Sequence, residues 1–373
     1  MAITPYDERM MRRALDLARR GTGQASPNPM VGAVLLVGDQ IVGEGFHIYR
    51  QVKHAETIAL EQAGARARGA TLVLNLEPCS HVGRTAPCTE ELIKAGIARV
   101  VVAMPDPNPR VNGAGLQKLK NAGIDVEIAE AFRAEAEHLN EAFVHFQRTG
   151  RPLVTVKAAL TLDGKIAAPE DNRGWITSEK ARLHVQGLRH ASDAILTGIG
   201  TVLADDCLLT DRTELPRSRP LLRVVVDSQL RTPIDSKLVQ SATNDLLIAT
   251  TSAANPERRR TLEARGIETI VCDGSDGRVS LRLVVEELAR RNMLSLMVEA
   301  GSKVNWAFLE SAVADKIFFY YAPKILGGLG SLPVAGGAGR TRRADAIRFS
   351  GVRLHTVTDQ EFAVEAWLER EAF

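Results

Sequence analysis

The chain has 373 residues, 45% of them hydrophobic and 25% charged, with 47 Lys plus Arg against 45 Asp plus Glu and a net charge of +2. This is the composition of a soluble globular protein, over a length that calls for about two domains. It excludes a disordered tail, a collagen and a membrane bundle, since no run reaches the ~18 apolar residues of a membrane span, and the balanced charge argues against a general nucleic-acid binder. Four cysteines in so long a chain make no disulfide framework and suit a reducing compartment. With no basic-then-apolar leader at the start, the cytoplasm is the expected location.

In chain order, Thr4, Pro5 and Asp7 have capping-box spacing before an amphipathic helix from about Asp7 to Arg20. Strands are expected at Val31–Val37 and Ile41–Gly45, a helix over Ala55–Ala67, a buried strand at Thr71–Leu76 and a helix near Thr89–Ala95. A strand at Val100–Ala103, a helix at Leu116–Ala122, a strand at Val126–Ile128 and one long helix, Phe132–Gln147, complete the first half. Alternating strands and helices imply a sheet covered on both faces. The Gly- and Pro-containing break Arg148–Pro152 marks a boundary between domains at 1–148 and 149–373. The second half restarts with a strand at Leu153–Ala159. Further strands are expected at Ala194–Gly198, Leu222–Asp227, Leu246–Thr250, Glu268–Cys272, Leu296–Glu299 and Ile317–Tyr321, with helices clearest at Ser178–Arg189, Pro256–Ala264 and Leu281–Arg291. Gly351–Val357 and Phe362–Leu368 alternate in polarity around Thr358-Asp-Gln and read as a hairpin, so a mostly parallel sheet ends antiparallel.

The sharpest chemical signal is His54-Ala-Glu56 followed by Pro78-Cys79 and Pro87-Cys88. One imidazole and two thiolates make a three-ligand zinc set with a fourth position open to water, whereas a closed structural site takes four protein ligands and only His81 stands nearby. Zinc brings the pKa of its water to about 7. Glu56, two residues from His54, is then the carboxylate that carries a proton from water to a leaving amine. In the second half, Gly198-Ile-Gly200-Thr201 and Glu299-Ala-Gly301-Ser302 each end a strand and open a turn suited to phosphate. Leu203 stands where a G-x-G-x-x-G fingerprint needs its third Gly, so that fingerprint fails.

The His-x-Glu and Pro-Cys pattern resembles the zinc nucleobase deaminases. The common version separates the cysteines by two residues. Here eight intervene, Ser80 to Pro87, which resembles one branch: the deaminase half of the bifunctional deaminase–reductases of riboflavin biosynthesis. That branch also carries Pro27-Asn28-Pro29-x-Val31-Gly32 and the His81, Arg84 loop. Lys157-Ala-Ala-x-x-Leu162-Asp163-Gly164-Lys165-Ile166-Ala167, Trp175-Ile-Thr-Ser178, Gly198-x-Gly200-Thr201-x-x-x-Asp205, Val226-Asp227-Ser228, Glu299-x-Gly301 and Pro323-Lys-x-x-Gly327-Gly328 resemble the family's reductase half in order. Many relatives have Glu-Gly-Gly where Glu299-Ala300-Gly301 stands.

The resemblance implies an N-terminal cytidine-deaminase-like α/β/α domain and a C-terminal dihydrofolate-reductase-like α/β domain, with zinc and NADPH as cofactors. It implies zinc on His54, Cys79 and Cys88, with Glu56 catalytic, Asn28 and His47 near the pyrimidine, and His81 and Arg84 near the sugar phosphate. In the second domain Lys157, Arg189, Leu209, Arg212 and Glu299 would contact substrate. Ala159, Trp175, Thr201, Asp205, Ser228, Gly301 and Ser302 would contact NADPH, with Asp205 and Lys157 the candidates for moving a proton. The implied substrate is a small pyrimidine ribosylamino phosphate, neither nucleic acid nor membrane, and the implied assembly a homo-oligomer, dimer or tetramer. The rival reading is a nucleic-acid base deaminase with a non-catalytic accessory domain.

Overall fold

The computed structural model describes residues 3–81, 86–109, 111–170 and 174–369. The chain divides into two compact units. One is Met1–Gly150 together with Pro216–Arg219; the other is Arg151–Leu215 with Pro220–Phe373.

The first unit contains α1 (Pro5–Arg19), β1 (Gly32–Val37), β2 (Gln40–Phe46), α2 (Ala55–Ala63), β3 (Thr71–Leu74), α3 (Cys88–Ala95), β4 (Arg99–Val102), α4 (Ala114–Asn121), β5 (Asp125–Ile128), α5 (Arg133–Leu139) and α6 (Glu141–Thr149). The Thr4–Asp7 capping box opens α1 as its spacing requires. The sheet runs β2-β1-β3-β4-β5, with β1 antiparallel to both neighbours and β3, β4 and β5 parallel. Alternate side chains serve two cores. Leu35, Leu72, Leu74, Val100 and Val102 pack with Ala55, Ala59, Leu92, Leu116 and Leu119 of α2, α3 and α4. Val34, Val73 and Val101 pack with Met11, Ala14 and Leu15 of α1 and with Phe132, Ala136 and Val144. The result is a three-layer α/β/α sandwich.

The long helix expected over Phe132–Gln147 is instead two helices. Asn140 between them accepts the Met30 N–H (2.8 Å) and donates to the Met30 carbonyl (2.9 Å), a task that draws its backbone out of helical geometry (φ −104°, ψ 24°). The expected Ala55–Ala67 helix ends at Ala63, because Gly64 takes φ 56° and a 3-10 turn follows.

The second unit contains β6 (Leu153–Thr161), β7 (Lys165–Ala167), α7 (Glu179–Ala191), β8 (Ala194–Gly198), α8 (Ile199–Asp205), β9 (Leu222–Val226), α9 (Lys237–Gln240), β10 (Leu246–Thr250), α10 (Pro256–Glu263), β11 (Glu268–Val271), α11 (Leu281–Arg290), β12 (Ser295–Val298), α12 (Ser302–Glu310), β13 (Lys316–Ala322), β14 (Leu332–Pro333), β15 (Phe349–Thr356) and β16 (Phe362–Leu368). Nine strands form one sheet in the order β11-β10-β9-β8-β12-β6-β13-β16-β15. It is parallel from β11 to β13 and antiparallel through β16 and β15. One face packs on α11 and α12 through Val284, Leu288 and Phe308. The other packs on α8, α9 and α10 through Val202, Leu238 and Leu262, and on α7 through Ala181 and Val185. The small antiparallel pair β7–β14 was not expected, since three- and two-residue strands carry no periodicity to read. No helix among the described residues is long and apolar enough to cross a membrane.

Candidate active sites

In the first unit the site is assembled from helix starts and the loops that precede them. Gly43 and Gly45 let β2 lie directly against α2: a Cβ at either would fall 2.0 Å from the Ala59 carbonyl or 2.3 Å from that of Ala55. The start of α2 is thereby held close to the sheet, with His54 as its N-cap and the buried Glu56 in its first turn. Cys79 follows β3, and Cys88 is the first residue of α3.

The donor atoms of His54, Cys79 and Cys88 all lie within 4.8 Å of one another. His54 Nδ1 is 3.0 Å from Cys88 Sγ and 3.6 Å from Cys79 Sγ, and the Cys88 N–H donates to Cys79 Sγ at 3.3 Å. The hydrogen bond from Cys88, with further help from His54, pulls the Cys79 thiol down to about 4. Cys88, the donor of that bond, is pushed up. The hydrogen bond with Cys79 raises His54, and burial raises Glu56.

His54, Glu56 and Cys79 open on a cavity of about 350 Å³, also lined by Asn28, His47, Tyr49, Glu77, His81, Asp106, Asn108 and Phe143, with Cys88 buried behind them. His47 Nδ1 donates to the Lys53 carbonyl (3.0 Å), so Nε2 accepts from the Asn28 amide (3.0 Å). The His47 and His54 rings meet edge to face at 5.4 Å. Asn28, His47, His54, Glu56, Cys79 and His81 are thus gathered in one place; Arg84 lies outside the described residues.

Glu77, Asp106 and Asn108 are polar lining residues that the sequence reading missed. Buried Glu77 accepts the backbone N–H groups of Asp106 (2.8 Å), Gly113 (2.9 Å) and Gly115 (2.7 Å), which fixes the loop before α4. Asp106 and Asn108 stand on that loop, where burial pushes the Asp106 carboxyl up to about 6. Pro105-Asp106-Pro107-Asn108-Pro109 repeats the proline-flanked pattern around Asn28, and that was the available signal.

In the second unit Glu299, at the end of β12, is the centre of a polar cluster. Arg189, near the end of α7, grips it with Nε (2.7 Å) and Nη2 (3.0 Å) and donates from Nη1 to the Thr210 carbonyl (2.9 Å). Lys157 Nζ donates to Glu299 at 3.4 Å and lies 5.7 Å from the centre of the Tyr320 ring. Burial alone would raise the Glu299 carboxyl, but Lys157 and Arg189 overcome it and hold the group at about 2. Tyr320 is buried, its hydroxyl 2.6 Å from His184 Nδ1, and no sequence signal marked either residue.

The remaining candidates spread around this cluster. Leu209 is buried at φ 55°, next to Thr210. Arg212 is exposed, its N–H donated to Gln186. Ala159 pairs with Tyr320 across β6 and β13. Thr201 lies against Gly301, the N-cap of α12, since a Cβ there would meet Thr201 Oγ1 at 3.6 Å. The Ser302 hydroxyl donates to the Pro333 carbonyl. Asp205 closes α8 at the surface, its carboxyl shifted up by partial desolvation. Trp175 is 69% exposed beneath the Arg182 guanidinium at 4.8 Å, and Ser228 Oγ accepts the Val279 N–H, so both are tied to other parts of the unit than Glu299.

Residues 4–104 match the family described as the cytidine and deoxycytidylate deaminase zinc-binding region, and residues 152–359 match the RibD C-terminal domain. The riboflavin biosynthesis protein RibD of Actinobacillus pleuropneumoniae is 39% identical over 345 residues, 92% of this chain and 91% of its own. That of Escherichia coli K12 is 41% identical over 358 residues, 92% and 94% of the two. Among solved structures, Acinetobacter baumannii RibD (form 1) is similar with a TM-score of 0.86 at 35% identity, covering 98% of this chain and 99% of that one. The Thermotoga maritima diaminohydroxyphosphoribosylaminopyrimidine deaminase/5-amino-6-(5-phosphoribosylamino)uracil reductase has a TM-score of 0.82 at 36% identity, with the same coverage. With a deaminase-like first unit and a reductase-like second unit matched from end to end, the chain belongs to the RibD family of bifunctional riboflavin-biosynthesis deaminase–reductases.

Proposed function

We propose that the first unit removes the 2-amino group of a 2,5-diamino-6-ribosylamino-4(3H)-pyrimidinone 5′-phosphate, and that the second reduces the ribosyl group of the deaminated product to ribityl with NADPH. The observation that carries the reading is the meeting of His54 Nδ1 with two cysteine sulfurs, beside a cavity that His54, Cys79 and the buried Glu56 line. One imidazole and two thiols within 4.8 Å of one another are a fitting donor set for catalytic zinc. Zinc, when bound, supplies a Lewis acid that makes water nucleophilic near neutral pH. Glu56 takes the proton of the attacking water and gives it to the leaving ammonia; its raised pKa suits a group that must both accept and release. His47, fixed in one tautomer by the Lys53 carbonyl, orients Asn28 against the pyrimidine. His81 stands at the exposed rim, where with Arg84 it would meet the sugar phosphate.

In the second unit NADPH supplies the hydride. With the cofactor bound, the hydride would go to the anomeric carbon of the opened sugar, and this chain would supply one proton to the substrate nitrogen or oxygen. Lys157 is the donor, its Nζ held beside Glu299 at 3.4 Å and over the face of the Tyr320 ring. Asp205 is the second candidate. Glu299 also holds the Arg189 fork in place. Arg212 and Leu209 complete the substrate side, while Ala159, Trp175, Thr201, Ser228, Gly301 and Ser302 hold the cofactor. Mass spectrometry of products from the diaminopyrimidine phosphate tests the whole reading. Loss of one amino group without NADPH, followed by a gain of two hydrogens only with it, is expected; deamination of RNA but not of the free nucleotide would overturn it.

A further inference from the structure

We infer that Pro216–Arg219, which stands in the sequence between α8 and β9, is a strap that positions the deaminase pocket. These four residues belong to the first unit. Ser218 is 6% exposed, while Pro216 and Pro220 on either side are exposed. Every hydrogen-bonding group of Ser218 is used on two loops of that unit. Its N–H donates to the Gly23 carbonyl (3.0 Å) and its hydroxyl to the Gln24 carbonyl (2.6 Å). Its own carbonyl accepts from Arg50 Nε (2.6 Å).

These two loops form the roof of the pocket. The Gln24 carbonyl that takes the Ser218 hydroxyl also takes the Tyr49 N–H (3.0 Å), so strap, first loop and second loop meet at one oxygen. From there the first loop reaches Asn28, whose N–H donates to the Ala25 carbonyl (3.0 Å), and the second runs between His47 and Val52. Asn28, His47, Tyr49 and Val52 all line the cavity; Ser218 and Arg50 do not. The segment between α1 and β1 is a succession of turns with no regular element, so its conformation depends on such cross-links. Ser218 and Arg50 are therefore positioning residues for the pyrimidine-holding pair, Asn28 and His47. The inference rests on the deaminase reading of the cavity.

The test uses the full-length, zinc-loaded chain. The S218A/R50A double variant removes two of the three strap bonds. It should raise the deamination KM about tenfold with kcat changed by less than about twofold, the scale of one to two ordinary hydrogen bonds acting on substrate placement. Zinc content and reduction of pre-deaminated substrate should stay as in the parent. Amide exchange should quicken at Gln24–Val31 and His47–Val52 and nowhere else. S218T, which keeps the hydroxyl donor, should have the parental KM. An unchanged KM overturns the inference, as does a parallel fall of zinc content, deamination and reduction, which marks a purely structural segment. Should the double variant not fold, S218A alone should still raise KM by about fivefold. E56Q separates this inference from the reading beneath it. If E56Q keeps zinc and deaminates normally, the reading of the cavity is wrong; if E56Q is inactive while S218A/R50A matches the parent, only the strap is.

Discussion

Replacing Glu299 by Gln removes the one negative charge between Lys157 and Arg189 while keeping size and shape. The carboxyl sits at about 2 in the folded protein against an ordinary 4.5, and a depression of that size corresponds to about 3 kcal/mol. Because the folded pKa is lowered, this stability is fully present above 4.5 and is lost as pH falls toward 2. At pH 7 the variant should therefore be less stable by about 3 kcal/mol, or about 6–12 °C in the Tm of a unit of this size. At pH 3.5 the gap between parent and variant should narrow by about 1 kcal/mol, as the unfolded parent takes up its proton. Urea unfolding followed by tryptophan fluorescence reads this directly, because Trp175, Trp306 and Trp367 are the only tryptophans and all lie in the second unit. Reduction should fail in the variant while deamination persists. Equal urea midpoints at pH 7, or a gap that does not change between pH 7 and 3.5, would refute the charge argument.

Cys79→Ser should lose most of its zinc on metal analysis, since the thiolate most readily formed is the one removed. Glu56→Gln should retain zinc and reductase activity but slow deamination by about a hundredfold or more in single-turnover assays. Arg212→Ala, exposed and outside the Glu299 cluster, should raise KM for reduction of the phosphorylated substrate and leave the dephosphorylated compound unaffected. Cutting the chain at Gly150 should leave an N-terminal piece that binds zinc with full stoichiometry yet deaminates with a raised KM, because Pro216–Arg219 depart with the other piece.

Much of the first unit could be read from the sequence because each signal there was local. The Thr4–Asp7 box, the alternating strands and the His54, Glu56, Cys79 and Cys88 pattern each lie within a few residues of the element they specify. The misses were long-range. Asn140 breaks the last helix to bond Met30, 110 residues away, and no periodicity in Phe132–Gln147 records that demand. Nothing in the residues around Glu77 distinguishes it from any charge that follows a strand. Its function appears only when the loop before α4 and that helix's first turn bring the N–H groups of Asp106, Gly113 and Gly115 to its oxygens.

The second unit was legible as a fold but less so as a site, for the same physical reason carried further. A parallel sheet brings together strands and helices far apart in sequence, so Lys157 within β6, Arg189 on α7 and Glu299 after β12 meet only through the pairing of β12 with β6 and the packing of α7. Taken singly, a lysine on a strand, an arginine in a last helical turn and a glutamate before a turn each have an ordinary explanation. Their convergence does not, because a buried carboxylate at about 2 requires both cations to be in place at once. Tyr320 was invisible for the opposite reason. On β13 it reads as one more apolar residue of a strand, and only the Lys157 ammonium over its ring and the His184 nitrogen at its hydroxyl distinguish it from its neighbours. What sets such residues apart is the polar company they keep in the folded core, which strand periodicity does not encode.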